Sequence, residues 1–183
     1  MPRINPINPA KADGRATALL DGVQKTLGMT PNLMRTMAQS PAVLDAYLGF
    51  GKALGGANLS PKLREQIAVA VAGENSCGYC ASAHTAVGRK LGLDDDELSA
   101  NLNSLSRDSK TQAALEFARR LVIERGWVSD DDLQRVRDAG YTDGDIAELV
   151  ATVALNLFSN YFNHVAQAEV DFPRVQVRHP TAA

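Results

Sequence analysis

No stretch of the 183 residues approaches the roughly 20 consecutive apolar residues that a membrane span requires. The opening segment, MPRINPINPAKADG, lacks the apolar run of a signal peptide. Charge of one sign is missing too. Nineteen Lys and Arg against 21 Asp and Glu leave a formal net charge of −2, which gives no electrostatic reason to engage nucleic acid or an anionic membrane. Nothing reads as a strand, and no segment is of low complexity. These absences lead to the expectation of a cytoplasmic protein with neither nucleic acid nor membrane as partner. Cysteine is the scarcest informative residue, with two copies, Cys77 and Cys80. In a reducing compartment a pair this close points to chemistry or metal rather than to a structural staple.

What is present is ordinary for a globular chain: 45% apolar and 22% charged residues. The length fits a single domain, 1–183, with an extended arm over 1–11, where proline is dense, and a loose tail over 174–183. Between them the periodicity predicts about eight or nine helices. Ala12 to Leu27 places Leu19, Leu20, Val23 and Leu27 on one side. Thr30-Pro31, Ser40-Pro41 and Ser60-Pro61 each set proline behind a hydroxyl cap, a helix-start signature. The third opens PKLREQIAVAVAGE, which carries no charge between Gln66 and Glu74 and is expected to be buried almost all round. A helix from near Cys77 to Leu91 follows, closed by Gly92. Asp94 and Glu97 suggest a capping box, Asp108 to Arg125 an amphipathic helix, and Ser129 the cap of a helix ending near Gly140. The last and longest helix is expected from Asp143 to Val170. The fold class is therefore all-α.

The segment ENSCGYCASAHTAVGRKLG carries the chemistry. At about 100° per residue, Cys77, Cys80 and His84 fall within an arc of roughly 60° on one helix. Asn75, Ser76 and Gly78 are cap and turn residues, which puts Cys77 at the helix start, where amides and the helix dipole stabilise a thiolate. His84, one turn beyond Cys80, is spaced to exchange a proton with it. A thiolate with a second sulfur one turn away can attack an oxidised partner and then close a disulfide. Haem attachment would need His directly after the second cysteine, where Ala81 stands. Structural zinc needs four ligands; the motif offers three, and His164 or His179 would have to supply another. An inert buried pair of thiols is the bland alternative.

LREQIAVAVAGENSCGYCASAHTAVGRKLGL, from Leu63 to Leu93, resembles the core motif of alkyl hydroperoxidase D (AhpD)-like proteins in the carboxymuconolactone decarboxylase superfamily. MTPNLMRTMAQSPAVLDAYLGF and LNLFSNYFNHVAQAEVDFP resemble flanking segments of its peroxidase-related branch. The resemblance implies a compact all-helical AhpD-like fold, with the Cys-x-x-Cys at the start of a central helix and several subunits packed as a homo-oligomer. It implies a thiol-dependent peroxidase or disulfide oxidoreductase, an AhpD-like alkyl hydroperoxidase, reducing hydroperoxides through Cys77 and Cys80. No cofactor or metal is implied, and recycling falls to an external dithiol of lipoyl or thioredoxin type. Carried over by position, Cys80 attacks peroxide, Cys77 closes the disulfide, and Glu65 with His84 forms the proton relay. Tyr79 departs from the pattern: a second histidine stands between the cysteines of the prototype. A phenol titrating near pH 10 cannot shuttle protons as an imidazole does. The residues themselves leave the order of the cysteines open, because the helix start favours Cys77 as the nucleophile.

Two other readings remain. One keeps the fold as a carboxymuconolactone decarboxylase-like enzyme, though lactone chemistry needs no dithiol. The other is a non-enzymatic redox-sensing or binding oligomer. Elsewhere, Asn156, Asn160, Asn163 and Gln167 form a polar stripe on the last helix, read as structural hydrogen bonding ahead of a lining for the cysteine pocket. His164 reads as a core or interface histidine, Trp127 as a packing anchor, and Arg64 as a surface charge or an ion pair with Glu65.

Overall fold

A computed structural model of the chain describes residues 1–12 and 14–177. Among these residues the structure is all-helical, with nine α-helices and no strand. The helices are α1 (Gly14–Leu27), α2 (Asn32–Met37), α3 (Pro41–Leu54), α4 (Pro61–Glu74), α5 (Gly78–Lys90), α6 (Asp95–Asn101), α7 (Ser109–Ile123), α8 (Asp130–Asp138) and α9 (Asp143–Ala166). A short 3-10 turn, Pro9–Lys11, interrupts the arm, whose backbone is tied down by bonds from Arg3 and Ile4 to the Ala166 carbonyl.

Helix α4 is the axle. Ile67 through Ala72 are all buried, as their uncharged run requires, because α5, α6, α7 and α9 pack around them. Gly73 lets one of these approaches happen: a Cβ there would lie 2.0 Å from the Leu102 carbonyl oxygen. One apolar cluster joins α4 to α7, α8 and the first half of α9 through Ile67, Val71, Leu115, Phe117, Leu149 and Val153. A second joins α1, α2 and α3 to the start of α5 and contains both cysteines and Tyr79.

The helix starts are satisfied less uniformly than their sequences suggest. The Ser60 hydroxyl accepts from the Leu63 N–H. Ser40 makes no such bond, and Thr30 donates to Gln24 while Pro31 itself occupies the cap position of α2. The first amides of α2 find partners across the fold: Asn32 N–H donates to Asp171 and Leu33 N–H to the Tyr79 hydroxyl. Asp94 caps the Glu97 amide, but the reciprocal half of the box is absent because the Glu97 carboxylate is drawn into a buried network. Complete boxes occur at Ser129 with Asp132 and at Thr142 with Asp145.

Helix α9 ends at Ala166 rather than Val170; Gln167, at φ 51°, turns the chain back. Residues 167–177 then run as an irregular strap against the cysteine cluster, with Phe172, Val175 and Val177 packed on it. Residues 174–177 are consequently not loose, since Val175 N–H donates to the Ser82 hydroxyl at 2.9 Å. The rest of the expected tail, 178–183 with His179, lies outside the described residues. Trp127 is not a packing anchor: it follows the left-handed Arg125 and Gly126 onto the surface and is 88% exposed. Among the described residues Arg64 pairs with no acid but clasps the carbonyls of Leu54 and Leu59, tying the end of α3 to the entry of α4.

Candidate active site

The turn between α4 and α5 aims the first sulfur. Asn75 closes α4, Ser76 takes a left-handed φ of 56°, and the Cys77 amide returns to the Ala72 carbonyl. Cys77 then stands as the N-cap of α5, a position where an acceptor side chain satisfies an otherwise free amide. Its sulfur accepts from the Cys80 N–H at 3.4 Å. Cys80, one turn on, is buried to the same 2% exposure. Its sulfur accepts from Asn163 Nδ2 on α9, also at 3.4 Å. Both thiols are free.

Their ionisation is split. The Cys77 thiol is held below its ordinary value, first by the Cys80 thiol donating to it and then, against the cost of burial, by the Cys80 and Tyr79 amides and the charge of His84. Cys80 is pushed well above its ordinary value by that same proton shared with Cys77, by burial, and by the Cys77 charge; Asn163 and Ser159 pull it the other way. The Cys77 thiol is thus the more acidic of the two, as expected of a sulfur at a helix start.

Glu65 and His84 face each other between α4 and α5, with His84 Nδ1 2.8 Å from Glu65 Oε2. The side chains of His84 and Glu65 retain 22% and 20% exposure, so this edge of the site reaches solvent while the sulfurs do not. Burial lowers the His84 pKa, but the charge and hydrogen bond of Glu65, with the Cys77 thiolate, outweigh it and leave the imidazole above its usual value. Among the described residues His84 makes no hydrogen bond to either sulfur; its coupling to Cys77 is electrostatic. All four residues singled out by the sequence thus gather in one place.

Tyr79 is not in that gathering. Its hydroxyl donates to Asp171 Oδ1 at 2.8 Å and accepts from Leu33 N–H at 3.1 Å, and its ring meets Phe172 edge-on at 5.9 Å. Burial raises its pKa far out of the working range. From its position between the cysteines it ties down the strap.

Sequence reasoning had no means of selecting Tyr47 and Ser159. Tyr47, on α3, reaches Ser159 on α9 and stacks near Phe158, and burial with the nearby Cys80 and Glu65 raises its phenol pKa. No local signal marks either residue; only the folded contact between α3 and α9 does. The amide stripe divides its labour. Asn160 accepts from Asn75 Nδ2 at the α4–α5 turn, Asn156 bonds back to Thr152, Asn163 reaches Cys80, and Gln167 ends the helix. His164 is an exposed neighbour of Tyr161, not a core residue. Among the described residues no group of three or more His, Cys, Asp or Glu is arranged to hold a metal ion.

Residues 41–124 match the model of the carboxymuconolactone decarboxylase family. No curated protein matches the chain. Among solved structures, the chain is similar to the alkylhydroperoxidase AhpD core of a peroxidase-related protein from Ralstonia eutropha JMP134. That likeness has 26% identity over 93% of this chain and 92% of the other, with a TM-score of 0.82. A peroxidase-related protein from Silicibacter sp. TM1040 is 24% identical over 91% and 92%, with a TM-score of 0.79. A debrominase bound to 2,3,4-tribromopyrrole is 19% identical over 92% and 91%, with a TM-score of 0.79, a likeness of fold alone.

Proposed function

We propose that this chain, which belongs to the AhpD-like branch of the carboxymuconolactone decarboxylase superfamily, is a thiol-dependent peroxidase whose redox dithiol is Cys77 and Cys80. The observation that carries the reading is the placement of the two sulfurs one turn apart at the start of α5, where the Cys80 N–H donates to the Cys77 sulfur and the Cys77 thiol is shifted down while Cys80 is shifted up.

The thiolate is the nucleophile, so Cys77 attacks first, the reverse of the order that the family resemblance implies. Its sulfur takes the terminal hydroxyl of the hydroperoxide, the O–O bond breaks, and the alkoxide leaves with a proton from the His84 imidazolium. Cys77 is then a sulfenic acid. Cys80 loses its proton to the now neutral His84 and attacks the Cys77 sulfur; the S–S bond forms and hydroxide departs, protonated to water by His84. The sum is one hydroperoxide and two thiols converted to alcohol, water and a disulfide. Glu65 holds the imidazole by Nδ1 and keeps its charged form accessible. An external dithiol of lipoyl or thioredoxin type reduces the disulfide by exchange and is itself oxidised.

The test is turnover of hydrogen peroxide and tert-butyl hydroperoxide with dihydrolipoamide, thioredoxin or dithiothreitol as reductant. Steady consumption with a Cys77–Cys80 disulfide as intermediate is the expected result. A protein that oxidises once and stops with every reductant is a redox sensor and not this enzyme. In single mutants, Cys80→Ser should trap the sulfenic acid at Cys77, and Cys77→Ser should prevent it; the opposite pattern restores the order implied by resemblance.

We also propose that the protein works as a homo-oligomer, supported by the exposed apolar side chains of Phe50 on α3 and Phe158, Tyr161 and Val165 on α9. Light scattering that returns a monomer's mass rejects this.

A further inference from the structure

The side chain of Asn163 does something a merely structural amide would not. It is 5% exposed, and among the described residues its carbonyl oxygen has no hydrogen-bond partner. Both of its bonds are donations from Nδ2: to the Ser159 carbonyl at 3.2 Å and to the Cys80 sulfur at 3.4 Å. A backbone carbonyl can only accept, so the Ser159 contact fixes which end of the amide is NH₂ and removes the usual ambiguity of its orientation. The second N–H is then committed to sulfur, and leaving the carbonyl orphaned is the cost of that commitment. An apolar side chain of similar size would fill the same space on α9 without it.

We propose that Asn163 is a further catalytic residue, the hydrogen-bond donor that holds negative charge on the Cys80 sulfur. The proposal rests on the dithiol reading above and assigns Asn163 to one half of its cycle. At rest Cys80 is the protonated member, and the donor has little to stabilise. Once Cys77 has become a sulfenic acid, the charge that kept the proton on Cys80 is gone. The N–H of Asn163 then favours the Cys80 thiolate that must attack the Cys77 sulfur, forming S–S as the S–O bond breaks. When the external dithiol later attacks the disulfide at Cys77, the same donor receives the departing Cys80 thiolate. Asn163 thus acts on disulfide closure and on reopening, not on the first attack.

Alkylation of the Cys77→Ser protein by iodoacetamide, followed against pH, reads Cys80 alone and needs no peroxide. Adding Asn163→Leu should raise the Cys80 midpoint by about one unit, roughly a tenfold slower reaction at neutral pH. Asn163→Asp, closer in shape, should raise it further by setting an anion against the sulfur. In the otherwise unmutated enzyme, Asn163→Leu should leave the rate of sulfenic acid formation unchanged while dimedone traps far more of it. The unmutated protein offers a check that requires no replacement to fold. The Asn163 side-chain amide resonance should move when the dithiol is oxidised, because its acceptor changes from thiol to disulfide sulfur. A midpoint unmoved by either replacement, or an amide resonance indifferent to oxidation, overturns the assignment. A shifted midpoint in a protein that never turns over peroxide would retain Asn163 as the donor and reject the peroxidase instead.

Discussion

Glu65 and Gln66 are neighbours on α4, and they lead to two carboxylate sites of opposite character. Gln66 points to Glu97, which is buried and receives hydrogen bonds from Gln66 (3.0 Å), Asn101 (3.1 Å), Ser106 (2.5 Å) and both the backbone (3.3 Å) and the side chain (3.1 Å) of Arg107. Burial raises its pKa, and the donors from Ser106, Asn101 and Arg107 overcome that to leave it low. Among the described residues Glu65 has one hydrogen-bond partner, the His84 ring, and it keeps a fifth of its side chain in solvent. A saturated carboxylate has no capacity left to exchange protons and serves to pin α4, α6 and the loop after it. A carboxylate with lone pairs to spare, holding an imidazole beside a thiol of lowered pKa, can pass a charge on.

The largest effect that sharpens the contrast lies beyond both acids. Cys77→Ser should abolish peroxide turnover altogether while leaving thermal unfolding almost unchanged, since one small buried atom is exchanged for another. Retained turnover would take the chemistry away from this end of α5. Glu65→Gln comes next. Peroxide turnover should fall about 100-fold, in line with general acid–base contributions. Stability should change by less than about 1 kcal/mol, the worth of a partly exposed pair. Glu97→Ala should do the reverse, costing about 3 kcal/mol in denaturant unfolding by orphaning buried donors. The folded fraction should keep its activity per molecule. If Glu97→Ala slowed the folded enzyme as much as Glu65→Gln, the distinction between the two sites would collapse.

The pH dependence separates them again. Cys77 lies below its ordinary thiol value, so the contribution of its thiolate is complete only above that ordinary value and is lost as pH falls through the lowered pKa. His84 lies above its usual value, so its charged form and its contribution are complete below the ordinary histidine pKa and are lost as pH rises through the raised one. Activity should therefore be bell-shaped, with Cys77 on the acid limb and His84 on the alkaline limb. Glu65→Gln should draw the alkaline limb to lower pH, and Glu97→Gln should leave it in place. An alkaline limb unmoved by Glu65→Gln would detach the imidazole from its carboxylate.

The parts of this site visible in the sequence are those written locally. Cys77, Cys80 and His84 share a helix face by spacing alone, and α4 declared its burial by its uncharged run. Glu65 needed the family resemblance, because nineteen positions separate it from the ring it holds. Asn163 was visible only as one amide in a stripe with two meanings; its contact with Cys80 spans 83 positions, and no periodicity encodes such a meeting. The same blindness explains the failures. Trp127 reads as a packing anchor at a helix end, yet two left-handed residues before it carry the chain outward. Glu97 has the spacing of a capping box, but buried donors on other segments outcompeted the free amide it would have capped.

The smallest predicted effect concerns the residue between the cysteines. Tyr79 stands where a second imidazole would belong in a proton relay, but its hydroxyl is spent on Asp171 and on the Leu33 amide. Tyr79→Phe keeps the ring against Phe172 and deletes both bonds. Asp171 retains its bond from Asn32 N–H at 2.6 Å, so the strap stays partly anchored. The expected cost is about 1–2 kcal/mol in denaturant unfolding, the range for one orphaned amide and one lost carboxylate bond. Iodoacetamide titration of Cys77 and the alkaline limb of turnover should both be unmoved, because no proton passes through the phenol. A shift in either would return Tyr79 to the relay and leave Glu65 and His84 as only part of it.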